Sequence, residues 1–431
     1  MKLKLKNIGK LQETEIDIDG ITVIAGKNNT GKSTIGKSLY CIFSSMYDVN
    51  QKIEDDKKDY VRRRVEILFM QNSSITNRLL FKHTYKDIIE NIVNDIIDKQ
   101  NNEAKESILM VFNQLNEKRK RFNNFDNKTI NDEILNEFFQ NIQEGLDIPK
   151  QIFYINRLNN IIYKEFNGQI NNINNKLGST INLLIKENHF KLDIKGEKIT
   201  INQYMELESD IVYIDNPFVL DNIDDKDLQD ILNHRDNIIS KMKNNIQDDN
   251  MTENILLQEK VTSVIDKLDK IGVGKLIKIK EMYQTKFKYQ SSLDNKPLEF
   301  VNVSAGLKTF IILKTLILNG HIKERGCIVL DEPEIHLHPE WQLVFAELIV
   351  LLQKTFNLHI LLNTHSPYFL RAIQVYSAKH EIADRCNYYL AENDLENNMA
   401  FIRNVNNDTN VIYKLLYAPF QQLDDEIYYD N

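Results

Sequence analysis

The stretch GKNNTGKST at residues 26–34 constrains this chain more than any other. It fits the pattern Gly-x-x-x-x-Gly-Lys-Ser/Thr, in which a glycine-rich turn opens a helix and offers its backbone N–H groups to an anion. The pattern has that use only between a buried strand and a helix N-terminus. Here ITVIA, residues 21–25, is an apolar run of strand length, and residues 31–47 repeat apolar side chains at helical spacing through Ile35, Leu39 and Ile42/Phe43. A strand, phosphate loop and helix in this order predict an α/β fold. Gly26, Asn28, Asn29, Thr30, Gly31 and Thr34 then belong to the loop that surrounds phosphates. The Lys32 ammonium reaches the β and γ phosphates, and the Ser33 hydroxyl sits on Mg2+.

The partners of the loop lie nearly three hundred residues on. CIVLDEPEIHLHP, residues 327–339, offers four apolar residues and then Asp331 and Glu332, the form of a buried strand that ends in a metal-ordering carboxylate and a water-activating one. VNVSAGLKTF, residues 301–310, opens another helix. Its Ser304 and Gly306 form either an anion site at a helix N-terminus or a plain N-cap, and spacing does not separate the two. LHILLNTHSPYFL, residues 358–370, is a further buried strand ending near His365, a residue that is commonly structural but reaches a γ-phosphate when it stands beside the acidic pair.

Composition narrows the partners without naming them. The 431 residues, 42% of them hydrophobic, supply a sizeable core, and 54 basic against 62 acidic residues give a net charge of −8, which argues against a body that coats nucleic acid. Cys41, Cys327 and Cys386 are far apart and in no C-x-x-C pair, so a reducing cytoplasm is expected, and no run is long and apolar enough to cross a membrane.

Along the chain, KLKLK and TEIDID alternate as strands before the loop. Residues 51–188 read as a mostly helical arm, with helical spacing at Ile88/Ile89, Ile92/Val93 and Ile96/Ile97 and again at Ile170, Ile173, Leu177, Ile181 and Leu184. Residues 189–202 read as a hairpin, DIVYID as a strand, 226–270 as helices, and KLIKIK with TKFKYQ as a second strand pair. The expected domains are therefore 1–50 and 297–372 as the two parts of one nucleotide-binding domain, 51–188 as the arm, 189–296 as the segment that rejoins it, and 373–431 as a tail available for docking a partner. Basic clusters at Arg62–Arg64 and Lys118–Arg121 are either solvated helix faces or phosphate contacts of a clamp.

Loop, signature, acidic pair and histidine in this order resemble the ATP-binding-cassette (ABC) type of P-loop ATPase. DEPEIHLHPEW with NTHSPYFL is similar to its OLD/RecF/SMC-like AAA branch, which includes stand-alone anti-phage defence ATPases of the Septu (PtuA-like) kind. The resemblance covers residues 1–48 and 297–372. It implies an ABC-ATPase-type nucleotide-binding domain with a large, mostly helical insertion, ATP and Mg2+ as cofactors, Lys32 and Ser33 on phosphate and Mg2+, Asp331 supporting the metal, Glu332 orienting the attacking water, and His365 sensing the γ-phosphate. It further implies that Ser304 and Gly306 contact ATP held by a second subunit, so that the working unit is a homodimer or higher oligomer, and that Glu334 and His336 fall in the segment linking its two ATP sites. VSAGLK departs from the family's LSGGQ, and Asn29 stands where glycine is common. Residues 366–431 are too few for the nuclease domain that OLD proteins append, so the resemblance implies an effector encoded separately, a nuclease or toxin. A DNA repair or recombination ATPase and an ATP-gated scaffold with little turnover are the alternatives, with DNA a possible partner in each.

Overall fold

The computed structural model describes residues 1–73, 83–120, 130–172, 177–196, 198–203, 205–224, 233–244, 251–281, 285–293, 296–394 and 396–429. Two compact units divide the chain: residues 48–156 form one, and residues 1–47 with 157–431 form the other.

The larger unit is built on an eleven-stranded sheet. Its strands are β1 (Lys2–Ile8), β2 (Leu11–Asp17), β3 (Ile21–Gly26), β4 (Ser179–Ile185), β5 (Asn188–Lys195), β6 (Lys198–Ile201), β7 (Ile211–Ile214), β10 (Cys327–Asp331), β11 (His359–Thr364), β12 (Cys386–Asp394) and β13 (Met399–Asn404), in the order β6-β5-β4-β1-β2-β13-β12-β3-β11-β10-β7. The half from β12 to β7 is parallel. Its central strands are buried along their whole length, as all six residues of β3 and all five of β10 show. The β1 end is an antiparallel wing. There the alternation of KLKLK has a direct cause: Lys2, Lys4 and Lys6 stand opposite Asp17, Glu15 and Glu13 on β2, and the ladder of opposite charges fixes which face meets water. A separate two-stranded sheet pairs β8 (Lys275–Lys280) with β9 (Thr285–Gln290).

Helix α1 (Lys32–Met46) follows β3 directly. The other helices of this unit are α7 (His234–Lys243), α8 (Met251–Lys270), α9 (Ala305–Leu318), α10 (Pro339–Phe356), α11 (Pro367–Lys379) and α12 (Asn410–Tyr429). One apolar core joins Val23 and Ile328 of the sheet to Phe310, Phe345 and Phe369 of α9, α10 and α11. The smaller unit holds α2 (Val49–Ser73), α3 (His83–Ile97), α4 (Asn101–Lys120) and α5 (Asp132–Leu146), and α6 (Lys150–Phe166) runs out of it. Its own core includes Val61, Val65, Phe69, Ile92, Ile108 and Phe138.

Two of the expected boundaries shift. Residues 179–185, read as part of the arm, form β4 and pair with β1, because Ser179, Ile181 and Leu183 are buried at a period of two while Ile181 also fits the helical spacing seen from sequence. The region read as a tail from 373 contributes β12, which pairs in parallel with β3, so residues 386–404 belong to the sheet. Of the basic clusters, the Lys118–Arg121 side chains lie outside the described residues. In the other, Arg62 is held by Glu90 at 2.7 Å and by Asp59, and Arg64 lies 5.3 Å from the Tyr60 ring centre, which is the behaviour of a solvated helix face.

Candidate functional site

The C-terminal ends of the parallel strands β3, β10 and β11 carry the loop, the acidic pair and the histidine, the end at which open α/β sheets bind ligands. Gly31 caps α1 in the left-handed region, φ 80°, and contributes no side-chain capping bond to the first-turn N–H groups of that helix. Asn29 is left-handed as well, at φ 63°, which asparagine tolerates. Gly26 is required by packing: a Cβ there would stand 2.4 Å from the Ala391 carbonyl oxygen on β12. The Thr30 hydroxyl donates to the Lys27 carbonyl and tightens the turn. Lys32, 4% exposed, folds back so that Nζ donates to the carbonyls of Gly26 and Lys27 at 3.1 and 2.9 Å. Burial pushes its ammonium below the usual range, against the pull of Glu332, Asp331 and Glu334.

Asp331 ends β10 inside the protein. Its two carboxylate oxygens each accept one hydrogen bond, Oδ2 from the Tyr213 hydroxyl at 3.0 Å and Oδ1 from Asn363 Nδ2 at 2.9 Å. Among the described residues no basic side chain comes within ion-pair distance of it. A buried carboxylate with lone pairs left over and no cation suits a hard divalent ion, and the exposed Ser33 hydroxyl at the start of α1 is the second oxygen donor nearby in the fold. Glu332 then turns the chain out of the strand with φ 52°. Its carboxylate lies 3.2 Å from His365 Nδ1 and 3.8 Å from Lys32 Nζ. The bond to His365 holds the Glu332 carboxyl below its ordinary range and raises the imidazole in return.

Glu334 is a positioning group that sequence reasoning assigned only to a linking segment. It is 2% exposed, and its Oε1 accepts from the Thr364 hydroxyl and, at 3.2 Å, from the His365 N–H. Burial pushes its carboxyl up. The Ser366 N–H donates to Thr364 Oγ1, and Ser366 Oγ accepts from Phe369 to cap α11, so the turn carrying His365 is fixed from both sides.

Beneath Asp331 lies a second buried polar layer. The Tyr213 ring stacks on His234, centroids 4.2 Å apart, and His234 bridges Glu165 at 2.7 Å and Asp215 at 3.0 Å. Tyr213 comes from β7 and His234 from α7, and no motif marks either residue.

Residues 1–370 match the AAA ATPase domain family. The chain belongs to that family. It is an ATPase of the P-loop class, and nucleotide binding follows from its domain. The Retron Vc95 probable ATPase of Vibrio cholerae serotype O1 biovar El Tor is 24% identical over an alignment of length 411 that covers 86% of this AAA ATPase and 72% of the relative. Among solved structures, an SmcHead bound to the C-winged helix domain of ScpA covers 95% of this chain and 98% of its own at 10% identity and a TM-score of 0.42. The SMC head domain from Thermotoga maritima covers 94% and 98% at 12% identity and a TM-score of 0.38.

In this AAA ATPase the fold brings Lys32, Ser33, Asp331, Glu332 and His365 to one end of the sheet. An open cleft of about 340 Å3 at the loop is lined by Lys10, residues 28–34 and Glu332. Lys10 was missed from sequence; it sits in the turn between β1 and β2, whose Leu11 packs over Gly31. Ser304 and Gly306 do not line that cleft. Ser304 is exposed at the start of α9 and makes no capping bond with its side chain, while Gly306 is buried against the His336 carbonyl of its own chain, where a Cβ would come within 2.8 Å.

Proposed function

We propose that this ATPase is the ATP-hydrolysing regulatory subunit of a bacterial anti-phage defence system, working in the cytoplasm, in which an ATP-gated dimer controls a separately encoded effector, a nuclease or toxin. The observation that carries the proposal is the similarity to the Retron Vc95 probable ATPase along 86% of the chain, joined to a cleft lined by Lys32 and Glu332, with His365 in contact with Glu332. The likeness of DEPEIHLHP and NTHSPYFL to defence ATPases supports the same reading. Among the described residues no helix is long and apolar enough to cross a membrane, and Cys41, Cys327 and Cys386 are buried free thiols.

In the proposed chemistry the loop N–H groups and the Lys32 ammonium hold the phosphates, and Lys32 exchanges two backbone carbonyls for them. Ser33 and Asp331 would hold Mg2+, which when bound supplies positive charge against the phosphates. Glu332, kept ionised by its neighbours, accepts a hydrogen bond from the attacking water and aligns it, and His365 reports the γ-phosphate through the Glu334-anchored turn. Exposed Ser304 at the N-terminus of α9 faces outward to complete the site of a second copy, so an isolated monomer turns over slowly.

The test is to express tagged Glu332→Gln protein with its neighbouring genes, capture it with ATP and Mg2+, and identify what co-purifies by mass spectrometry. A nuclease or other toxic protein in stoichiometric amount is the expected result. DNA alone, or no companion, overturns the effector reading and leaves the ATPase.

A further inference from the structure

A second cleft, of about 520 Å3, lies far along α9 from Ser304, between the C-terminal part of that helix, the end of α7 and the β8–β9 hairpin. Fourteen residues at the helical rise separate the two ends of α9 by roughly 20 Å. The cleft is larger than the one at the phosphate loop, and every charged residue among its described lining is a lysine: Lys243, Lys275, Lys278 and Lys314. In a chain of net charge −8 this concentration of one sign is a local construction.

Its geometry is built. Lys314 is 7% exposed and donates to Asp269 Oδ1 at 2.5 Å and to the Val273 carbonyl at 2.7 Å, which fixes its ammonium with one of three donors unspent among the described residues. Lys243 and Lys278 converge on one aromatic ring, their ammonium groups 5.8 and 5.9 Å from the centre of Phe287. Those two distances keep the two like charges within about 12 Å of each other. The register places Lys278 opposite Phe287, so both belong to the hairpin face turned into the cleft. On the other face Lys286 and Lys288 are already matched by Glu281 and Glu299. The hairpin thus matches Lys286 and Lys288 on one face and leaves Lys278, on the Phe287 face, with no acid among the described lining residues, while Lys275 reaches the cleft rim from the start of β8.

We infer that this cleft binds the phosphate backbone of a single nucleic-acid strand. Lysine is a compact point charge suited to phosphate without sequence readout. A pocket of this size, walled by a hairpin and a helix, accepts one strand and not a duplex, and a positively charged groove that tracks the backbone is what sequence-tolerant single-strand sites share; Phe287, 7% exposed, positions the two ammonium groups and stacks no base. The site is independent of the effector reading, since it needs neither a second protein nor ATP hydrolysis.

The experiment is fluorescence anisotropy with short fluorescein-labelled single-stranded DNA and RNA over a salt series, on the full chain without nucleotide. Wild type binds, and Lys243→Gln/Lys275→Gln/Lys278→Gln weakens binding at low salt at least tenfold and flattens the dependence of log K on log salt by about 2, at about 0.7 for each phosphate that the lysines no longer neutralise. Lys286→Gln/Lys288→Gln, on the opposite face, stays within about twofold of wild type, and both variants keep wild-type ATP turnover without nucleic acid, which shows that they fold. Lack of binding by wild type, equal loss in both variants, or displacement by polyglutamate as effective as by polyphosphate overturns the inference; the last makes the cleft a dock for an acidic peptide.

Discussion

The Tyr213 hydroxyl donates to Asp331 Oδ2 at 3.0 Å across the β7–β10 strand pair, and it also stands 3.4 Å from the Ser33 carbonyl. One phenol therefore touches both elements proposed to hold the metal. A hydrogen bond to a charged acceptor contributes about 1.5–3 kcal/mol. Tyr213→Phe keeps the ring on His234 and deletes the hydroxyl's contacts with Asp331 and Ser33. The Mg2+ concentration needed for half-maximal binding of a fluorescent ATP analogue should rise several-fold, with a smaller change in turnover at saturating Mg2+. An unaltered Mg2+ titration would mean that Tyr213 is only a packing residue.

The phosphate loop, β3, β10 and the β8–β9 pair were readable because each is specified locally: a motif with fixed glycines, or an alternation bounded by turns. KLIKIK and TKFKYQ form β8 and β9 with the bounds read from sequence. What was not readable depends on residues remote in the chain. β4 shares Ile181 with a helical pattern, and only pairing with β1 decides between the two periods. β12 joins the sheet because Gly26 lets its backbone approach β3. Tyr213 and His234 carry no motif, and their place under Asp331 follows from the β7–β10 register and the packing of α7.

Glu332→Gln should retain ATP binding and lose turnover by about 10²–10⁴-fold, the range removed with a positioned base. Lys32→Ala should instead lose the binding itself. Phosphate release and analogue binding, measured on both proteins, separate the two roles. Turnover of Glu332→Gln equal to that of wild type would remove Glu332 from the chemistry.

Glu334→Ala removes the acceptor shared by the Thr364 hydroxyl and the His365 N–H in a site that is 2% exposed. Two buried donors lose their partner, at about 1–3 kcal/mol each. Thermal melting should drop clearly and turnover fall with it, because His365 loses its anchor, whereas Glu334→Gln keeps an acceptor and should cost less on both counts. Equal effects of the two substitutions would contradict an anchoring role.

Gly306→Ala tests whether the glycine of the signature is demanded inside the chain. Its new Cβ meets a backbone carbonyl, that of His336, at 2.8 Å, so α9 or residues 334–338 must shift. Strain of this kind costs about 1–3 kcal/mol. The melting temperature of the protein without nucleotide should fall. A loss of activity with unchanged melting would point instead to a purely intersubunit role.

The pair formed by His234 and Asp215 makes stability depend on pH in a direction that can be worked out. Burial raises the Asp215 carboxyl, but bonds from His234 and Arg235 outweigh it and hold the group at about 2. Burial lowers the His234 imidazole, and its bonds to Asp215 and Glu165 outweigh that and raise it. A depressed carboxylate stabilises above its unfolded value, near 4, and the contribution, about 2 kcal/mol, is lost as pH falls toward 2. A raised imidazole stabilises below about 6.5, and its contribution is lost as pH climbs through the folded value. The cluster therefore contributes most between about pH 4 and 6.5. His234→Gln removes the cation, so the melting gap between wild type and variant should be widest near pH 6 and narrow steadily toward alkaline pH, where wild type loses its own charge. A gap that stays constant from pH 6 to 9 would show that the buried histidine is neutral throughout.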